Sequence, residues 1–225
     1  MLLTRGQLFA ILLVASLFVN LDHGVIPACT SDLKLELEVD DLFIGILGSL
    51  VFAGLMAGSL VGGAAFTRFV CKKVILWSLF FVLIGLLAFP LSGKNHLAMA
   101  SARFVSGFFQ EFLVIFFPVW IDAFGGDQKT IWLTYIQLSV VLGIVFGYAL
   151  TAICKMLGEV YPFFDWRLAF YVQFVVLTGI FAILYQIEEE MLNTNGLLSL
   201  TQKSPFDNLP VFRRSLRLMP SMMTA

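Results

Sequence analysis

Charge is what this chain has least of. Asp, Glu, Lys and Arg make up 13% of its 225 residues, and the formal net charge is −1. That balance leaves no basic patch for a nucleic-acid backbone. Histidine occurs twice and cysteine three times, so there is no cluster with metal-ligand spacing and no disulfide framework. Cys29 and Cys154 fall near the same predicted membrane face, but disulfides are scarce outside oxidising compartments and a pair is not expected. No Asn-x-Ser/Thr acceptor occurs. No nucleophile–base pair falls on matching helix faces. The expectation is therefore a protein that is not an enzyme and takes no cofactor and no metal.

What is present is apolar length. Hydrophobic residues make up 60% of the chain, against roughly 45–50% in a soluble domain. Six stretches, 6–27, 42–66, 74–92, 97–121, 132–154 and 168–187, approach or exceed the roughly 20 residues that cross a bilayer as a helix. Only helices and closed barrels satisfy their backbone in lipid. Barrel strands alternate apolar and polar residues, and neither Ile11 to Val19 nor Val74 to Ala88 does so. The predicted fold class is all-α, with six transmembrane helices over 1–190. The tail, 191–225, mixes Ser, Pro, Asn and Arg without periodicity and reads as disordered or as the start of a linker. Within it, Phe212 to Met219 could form at most a short basic interfacial helix. The first apolar run is longer than the 7–15 residues of a signal-peptide core, so it is read as a span.

Loop charges set an orientation. Arg5, Arg68, Lys72, Lys73, Lys129, Lys203, Arg213, Arg214 and Arg217 fall on one side, and Lys34, Lys94, Lys155 and Arg167 on the other. The positive-inside rule then places both termini in the cytoplasm. The loop 31–41 is acidic and lies outside in this reading. Trp120, Trp132 and Trp166 sit near span ends, where interfacial anchoring is the ordinary role; most of the 24 Phe read as lipid-facing.

Small residues mark helix contacts. Gly54-x-x-x-Gly58-x-x-x-Gly62 and Gly143-x-x-x-Gly147 line faces on which a neighbouring backbone can approach closely. If those faces await a second domain, the chain should self-associate or bind another membrane protein.

Intramembrane polar groups point further. A charge at mid-membrane costs about 2.5–3.5 kcal/mol on insertion scales, so it is paired or faces water. Asp22 and His23 fall in the first span, Arg103, Gln110 and Glu111 in the fourth. At 1.5 Å per residue, Asp22 and Arg103 both lie roughly 8–9 Å below the outer boundary, which makes them natural partners. Glu111 lies about 12 Å deeper and roughly 80° around the helix, on the same broad face. His23 points about 100° away from Asp22. A static buried clamp and a water-filled path both remain open for these groups.

Several of these elements occur together in one family. Arg103-Phe-Val-Ser-Gly107 resembles the Arg-x-x-x-Gly element of major facilitator superfamily transporters. Gly63-Ala-Ala-Phe-Thr-Arg68-Phe-Val-Cys-Lys72-Lys73 resembles their loop motif between helices two and three, with Thr67 where an acid is usual and Val70 where a glycine is usual. Asp165-Trp-Arg-Leu-Ala-Phe170 is similar to the Trp-Arg-x-x-Phe start of helix six. Asn20-Leu-Asp22 and Gly143-x-x-x-Gly147-Tyr148 look most like the spinster-type branch. That branch usually has Arg in place of His23, and a Gly-Glu pair in place of Phe109-Gln110.

The resemblance implies a transport or charge network of Asp22, His23, Arg103, Gln110 and Glu111, and a gating-loop motif of Gly63, Arg68, Lys72 and Lys73. Gly54, Gly58, Gly62, Gly107, Gly143 and Gly147 are read as packing positions. It also implies that spans one, two, four and five line a central cavity, with three and six peripheral. Such transporters have twelve helices, so six spans read as one half, completed by further sequence, another copy or a partner. The expected activity is secondary transport of a small organic or lipid-like solute by alternating access, with protons as coupling ion. A membrane interaction or regulatory subunit is the alternative.

Overall fold

The computed structural model describes residues 3–161 and 164–194, which are helical with no strand among them. Among the described residues, six helical segments are long and apolar enough to cross a membrane. The first is interrupted: α1 (Arg5–Val19) gives way to a turn at Asn20 and Leu21, and α2 (Asp22–Ala28) resumes the span. A short α3 (Thr30–Leu37) follows, then α4 (Asp41–Arg68), α5 (Cys71–Leu91), α6 (His96–Phe124), α7 (Lys129–Gly158) and α8 (Arg167–Gln186). A 3₁₀ turn at Gly126–Gln128 leads into α7, and a last turn, α9, covers Glu189–Leu192.

Local sequence sets these boundaries. Thr4 and Gln7 form a capping box that opens α1, and Asp40 and Asn95 cap α4 and α6 by accepting from the N–H groups of Phe43 and Ala98. The break in the first span also has a local cause. The Asn20 side chain donates to the Ser16 carbonyl at 2.8 Å, in competition with the helical ladder.

The helix α6 is the centre of the bundle. It packs extensively against α4 on one side and α5 on another, and reaches α1 and α7 as well. The α4 contact is made backbone to backbone. A Cβ added at Gly54 or Gly58 would overlap the carbonyl oxygens of Phe104 or Phe108, and one at Gly107 would overlap that of Val51. On the other side, Gly143 and Gly147 of α7 receive the carbonyls of Leu17 and Leu21, and Gly24 of α2 meets that of Ile144. These glycines hold the broken segment of the first span against α7.

The glycine faces are therefore filled within the six helices. The expectation that Gly54, Gly58, Gly62, Gly143 and Gly147 await a second domain is overturned: all five are buried, under α6 or under α1 and α2. What α4 and α7 leave uncovered is apolar and larger, including Phe52, Met56 and Leu60 on α4 and Tyr135, Leu138 and Leu142 on α7.

Three further expectations change. Trp120, Trp132 and Trp166 are at most 9% exposed, so they are core residues. Trp120 and Trp132 stack with centroids 6.1 Å apart, Trp132 stacks on Phe9, and the Trp120 indole N–H donates to the Met191 carbonyl at 2.9 Å. Trp77, at 61% exposed, is the tryptophan that meets the surroundings. Many phenylalanines are likewise inside: Phe66, Phe89, Phe112, Phe116, Phe117 and Phe170 are all buried. The first acidic loop is a helix, α3, that buries Leu33 and Leu37 and leaves Leu35 out.

At the C-terminal side, Leu192 and Thr194 are buried, and the Thr194 hydroxyl lies 3.2 Å from the Cys71 thiol. The packed unit thus continues a few residues past 190. The rest of the tail, including Phe212 to Met219, lies outside the described residues. All three cysteines are buried and none forms a disulfide among the described residues, and burial pushes the Cys29 thiol up to about 12.

Candidate functional site

The polar centre forms where the broken first span crosses α6. Arg103 of α6 forms an ion pair and hydrogen bond with Asp22, the first residue of α2, and both side chains are at most 3% exposed. The Arg103 guanidinium also lies over the Phe89 ring of α5, 5.7 Å from its centroid. Gln173 of α8 stands beside the Asp22 carboxylate and donates to the Phe18 carbonyl at 2.7 Å. One ion pair thus gathers residues of four spans. Burying it is expensive, and hydrophobic residues of similar volume often serve stability as well or better.

A second layer lies next to it. Gln110 is seven residues after Arg103, close to two full turns, so it returns to the same face. Its amide nitrogen contacts Asn20 Oδ1 at 3.4 Å and His23 Nε2 at 3.0 Å. The His23 ring stacks on Phe52 of α4, 5.5 Å between centroids. Ser16 and Ser139 join α1 to α7 at 2.9 Å. Asp22, His23, Arg103 and Gln110 are therefore one neighbourhood.

Glu111 is not part of it. Its Cβ lies near Gly58, on the α4 side of α6, and its carboxylate has no hydrogen-bond partner among the described residues. The same-face expectation fails because α6 has neighbours nearly all round. A rotation of roughly 80° is enough to pass from the side facing α2 to the side facing α4.

A cavity of about 260 Å³ opens beside the pair, lined by His23, Ile26, Pro27, Thr30, Ile44, Gly48, Phe52 and Arg103. A larger cavity of about 610 Å³ lies at the α3 end of the bundle, between α3, the end of α7 and the start of α8. Its charges are largely paired with one another. Lys155 meets Asp32 at 2.9 Å, and Arg167 pairs with both Glu36 and Asp165. The Trp166 indole donates to Glu36 at 2.9 Å and Arg167 Nε to the Pro90 carbonyl at 3.3 Å. The Arg167 guanidinium bonded to Glu36 holds that carboxyl below the usual carboxylate range.

The gating-loop residues lie at the opposite end and are not gathered. Lys72 donates to the carbonyls of Tyr185 at 2.8 Å and Ile187 at 2.5 Å, closing the end of α8. Arg68 is exposed, Gly63 has open space around it, and Lys73 borders an apolar groove with Trp77 and Tyr185.

Sequence reasoning did not select Gln173, Phe89 or Ser16 for this centre. Gln173 carried a readable signal, a neutral amide inside an apolar span. Phe89 carried none, since nothing distinguishes it from its many apolar neighbours.

The family model of the Major Facilitator Superfamily matches residues 8–225, and the chain belongs to that superfamily. Among solved structures it is similar to a major facilitator superfamily proton:xylose symporter bound to 6-bromo-6-deoxy-D-glucose, with a TM-score of 0.72 and 14% identity over 98% of this chain and 56% of that one. It is also similar to a D-xylose–proton symporter, with a TM-score of 0.68 and 15% identity over 94% and 53% of the two chains. At such identity the likeness is one of fold. The chain spans about half the length of these structures. A comparison with curated proteins gives no match. With six apolar helices and this family, the protein is an integral, multi-pass membrane protein.

Proposed function

We propose that this chain is a six-helix half of a secondary transporter that moves a small organic or lipid-like solute by alternating access. The observation that carries the reading is the buried Asp22–Arg103 pair beside the His23 cavity. Intramembrane charges of this kind mark solute or ion pathways, and this one lies at a break in a spanning helix, where discontinuous backbone borders a cavity. Asp22 and Arg103 would organise the network, with His23 and Gln110 as contact groups. A proton is the proposed coupling ion. Glu111, set apart from the pair, would act as a separate relay or not at all.

The uncovered apolar sides of α4 and α7 suit a second six-helix half, supplied by further sequence, another copy or a partner. The loop-charge bias supports cytoplasmic termini, with Gly63, Arg68, Lys72 and Lys73 at the inner gate. The spinster-type elements, Asn20-Leu-Asp22 and Gly143-x-x-x-Gly147-Tyr148, favour that branch. The test is uptake of a labelled solute panel into vesicles containing the protein with and without an imposed pH gradient. Gradient-dependent uptake lost in Arg103→Lys supports the reading; no uptake by any assembly containing the chain overturns it.

The same uncovered sides of α4 and α7 favour one other reading, a membrane interaction or regulatory subunit that binds a partner without moving a solute. Co-purification of a stoichiometric membrane partner in the absence of any uptake would select it.

A further inference from the structure

The helix α3 borders two cavities at once. Its first residue, Thr30, lines the cavity beside the ion pair, and Asp32, Leu35 and Glu36 line the larger one. Little apolar surface holds it there. Leu33 and Leu37 are buried, but Leu35 is 83% exposed and the packing of α3 against the spans is light. Both of its ends bend. Cys29 departs from helical geometry between α2 and α3. Glu38 ends α3 at a φ of 56°, a left-handed conformation costly to a residue with a Cβ.

Charge supplies the rest. Asp32 pairs with Lys155 of α7, Glu36 with Arg167 of α8, and Glu38 with Lys94 in the turn between α5 and α6. Three separate elements each give one base to one short helix. All three pairs are part-exposed, so each holds weakly and is screened by salt. A segment held in this way opens locally, ahead of the spans.

The latch also reaches the polar centre. The Arg167 guanidinium lies over the Trp166 ring, 4.6 Å from its centroid, and the Trp166 indole donates to Glu36 at 2.9 Å. Trp166 meets Phe89 edge to face, with centroids 6.0 Å apart, and Phe89 carries the Arg103 guanidinium. Arg167, Trp166, Phe89 and Arg103 thus run in unbroken succession from Glu36 to Asp22. Coupling between two sites needs an element with two states that both sites bias. The helix α3, seated or released, is such an element.

We propose that α3 is a latched lid. Its release joins the cavity beside the Asp22–Arg103 pair to the larger one, and its seating is coupled to that pair through Trp166 and Phe89. A place for the lid in a transport cycle rests on the transport reading; the lid itself does not.

The test is the rate at which a charged methanethiosulfonate modifies each cysteine of the full chain in detergent, read by peptide mass spectrometry. Cys29, at the joint of the lid, and Cys71, at the opposite end of the bundle, are both fully buried. At about 1 M sodium chloride the screening length falls to about 3 Å. Cys29 should then react about two- to fivefold faster than in dilute buffer, the loss expected for exposed ion pairs, with Cys71 unchanged. Asp32→Asn combined with Glu36→Gln should give a similar acceleration in dilute buffer and a smaller response to salt. Phe89→Leu leaves every ion pair in place and removes the ring between Trp166 and Arg103. It should also speed Cys29 about two- to fivefold, the loss of a cation–π contact. A Cys29 rate indifferent to salt and to the double variant, or an equal acceleration at Cys71, would overturn the lid. A native rate in Phe89→Leu would overturn its link to the ion pair. A lid that opens in a chain for which no assembly shows uptake would leave the proposal standing and remove the transport reading. Uptake by a chain whose Cys29 never responds would do the reverse.

Discussion

The helix α6 makes two contacts of opposite kinds. Toward α4 it offers Gly107 and the carbonyls of Phe104 and Phe108, and receives Gly54 and Gly58 in return. Toward the broken first span it offers Arg103 and Gln110, and receives Asp22, Asn20 and His23. The first contact is sufficient to hold two helices in a membrane, where close backbone approach supplies the attraction that lipid tails cannot. The second buries a full ion pair and leaves polar atoms on both partners unsatisfied, an arrangement that packing alone would not call for. The difference separates the part of α6 that builds the bundle from the part that requires a functional account.

The largest effect should come from breaking the polar contact on one side only. Arg103→Ala leaves a buried carboxylate without its counter-charge, at a cost of about 3–5 kcal/mol. Thermal unfolding in detergent should show a drop of many degrees or a collapse in yield. An unfolding temperature equal to the native one would mean that water reaches Asp22 freely.

The glycine contact should break next. Gly107→Val places a side chain against the Val51 backbone, and overpacking of this kind costs about 1–3 kcal/mol. Gly63→Ala, on the open side of α4, is the control. It has nothing within 4 Å and exchanges glycine for a better helix former, so its unfolding temperature should be unchanged or slightly higher. Equal losses in the two variants would remove the distinction between filled and open glycines.

The smallest effect should come from the ion pairs at the α3 end of the bundle. Glu36 is bonded to Arg167 and Trp166 but its side chain is 43% exposed, so its loss should cost under about 1 kcal/mol. Its folded pKa is depressed below 4.5. The stability it confers is therefore present above that value and disappears as pH falls through the folded pKa. Glu36→Gln should unfold slightly earlier than the native protein at neutral pH and converge with it in acid. A gap that persists in acid would mean Glu36 acts through packing.

The six spans were legible from hydropathy because lipid imposes one length on every crossing helix. Depth arithmetic brought Asp22 to Arg103, since a rise per residue is nearly constant along a helix. Azimuth was less legible. Glu111 was assigned to the face of Arg103 because sequence gives an angle without the neighbour that occupies it. The tryptophans show the same gap: a position near a span end fits an interfacial anchor and a buried ring equally, and only the neighbouring helices decide. The break after Val19 depends on a competition between Asn20 and the backbone for Ser16, which no periodicity records. Gln173 enters from a span more than 150 residues away in sequence.

The central claim is that the polar side of α6 acts as one coupled unit, with Arg103 and Asp22 as its members. A double-mutant cycle on thermal unfolding tests it most directly, using the native protein, Asp22→Ala, Arg103→Ala and the double variant. The account predicts that the double variant loses clearly less than the sum of the two single losses, because each single change strands a charge that the double change removes. The swap of Asp22→Arg with Arg103→Asp should then regain part of the stability without regaining uptake. Strictly additive losses would contradict the claim.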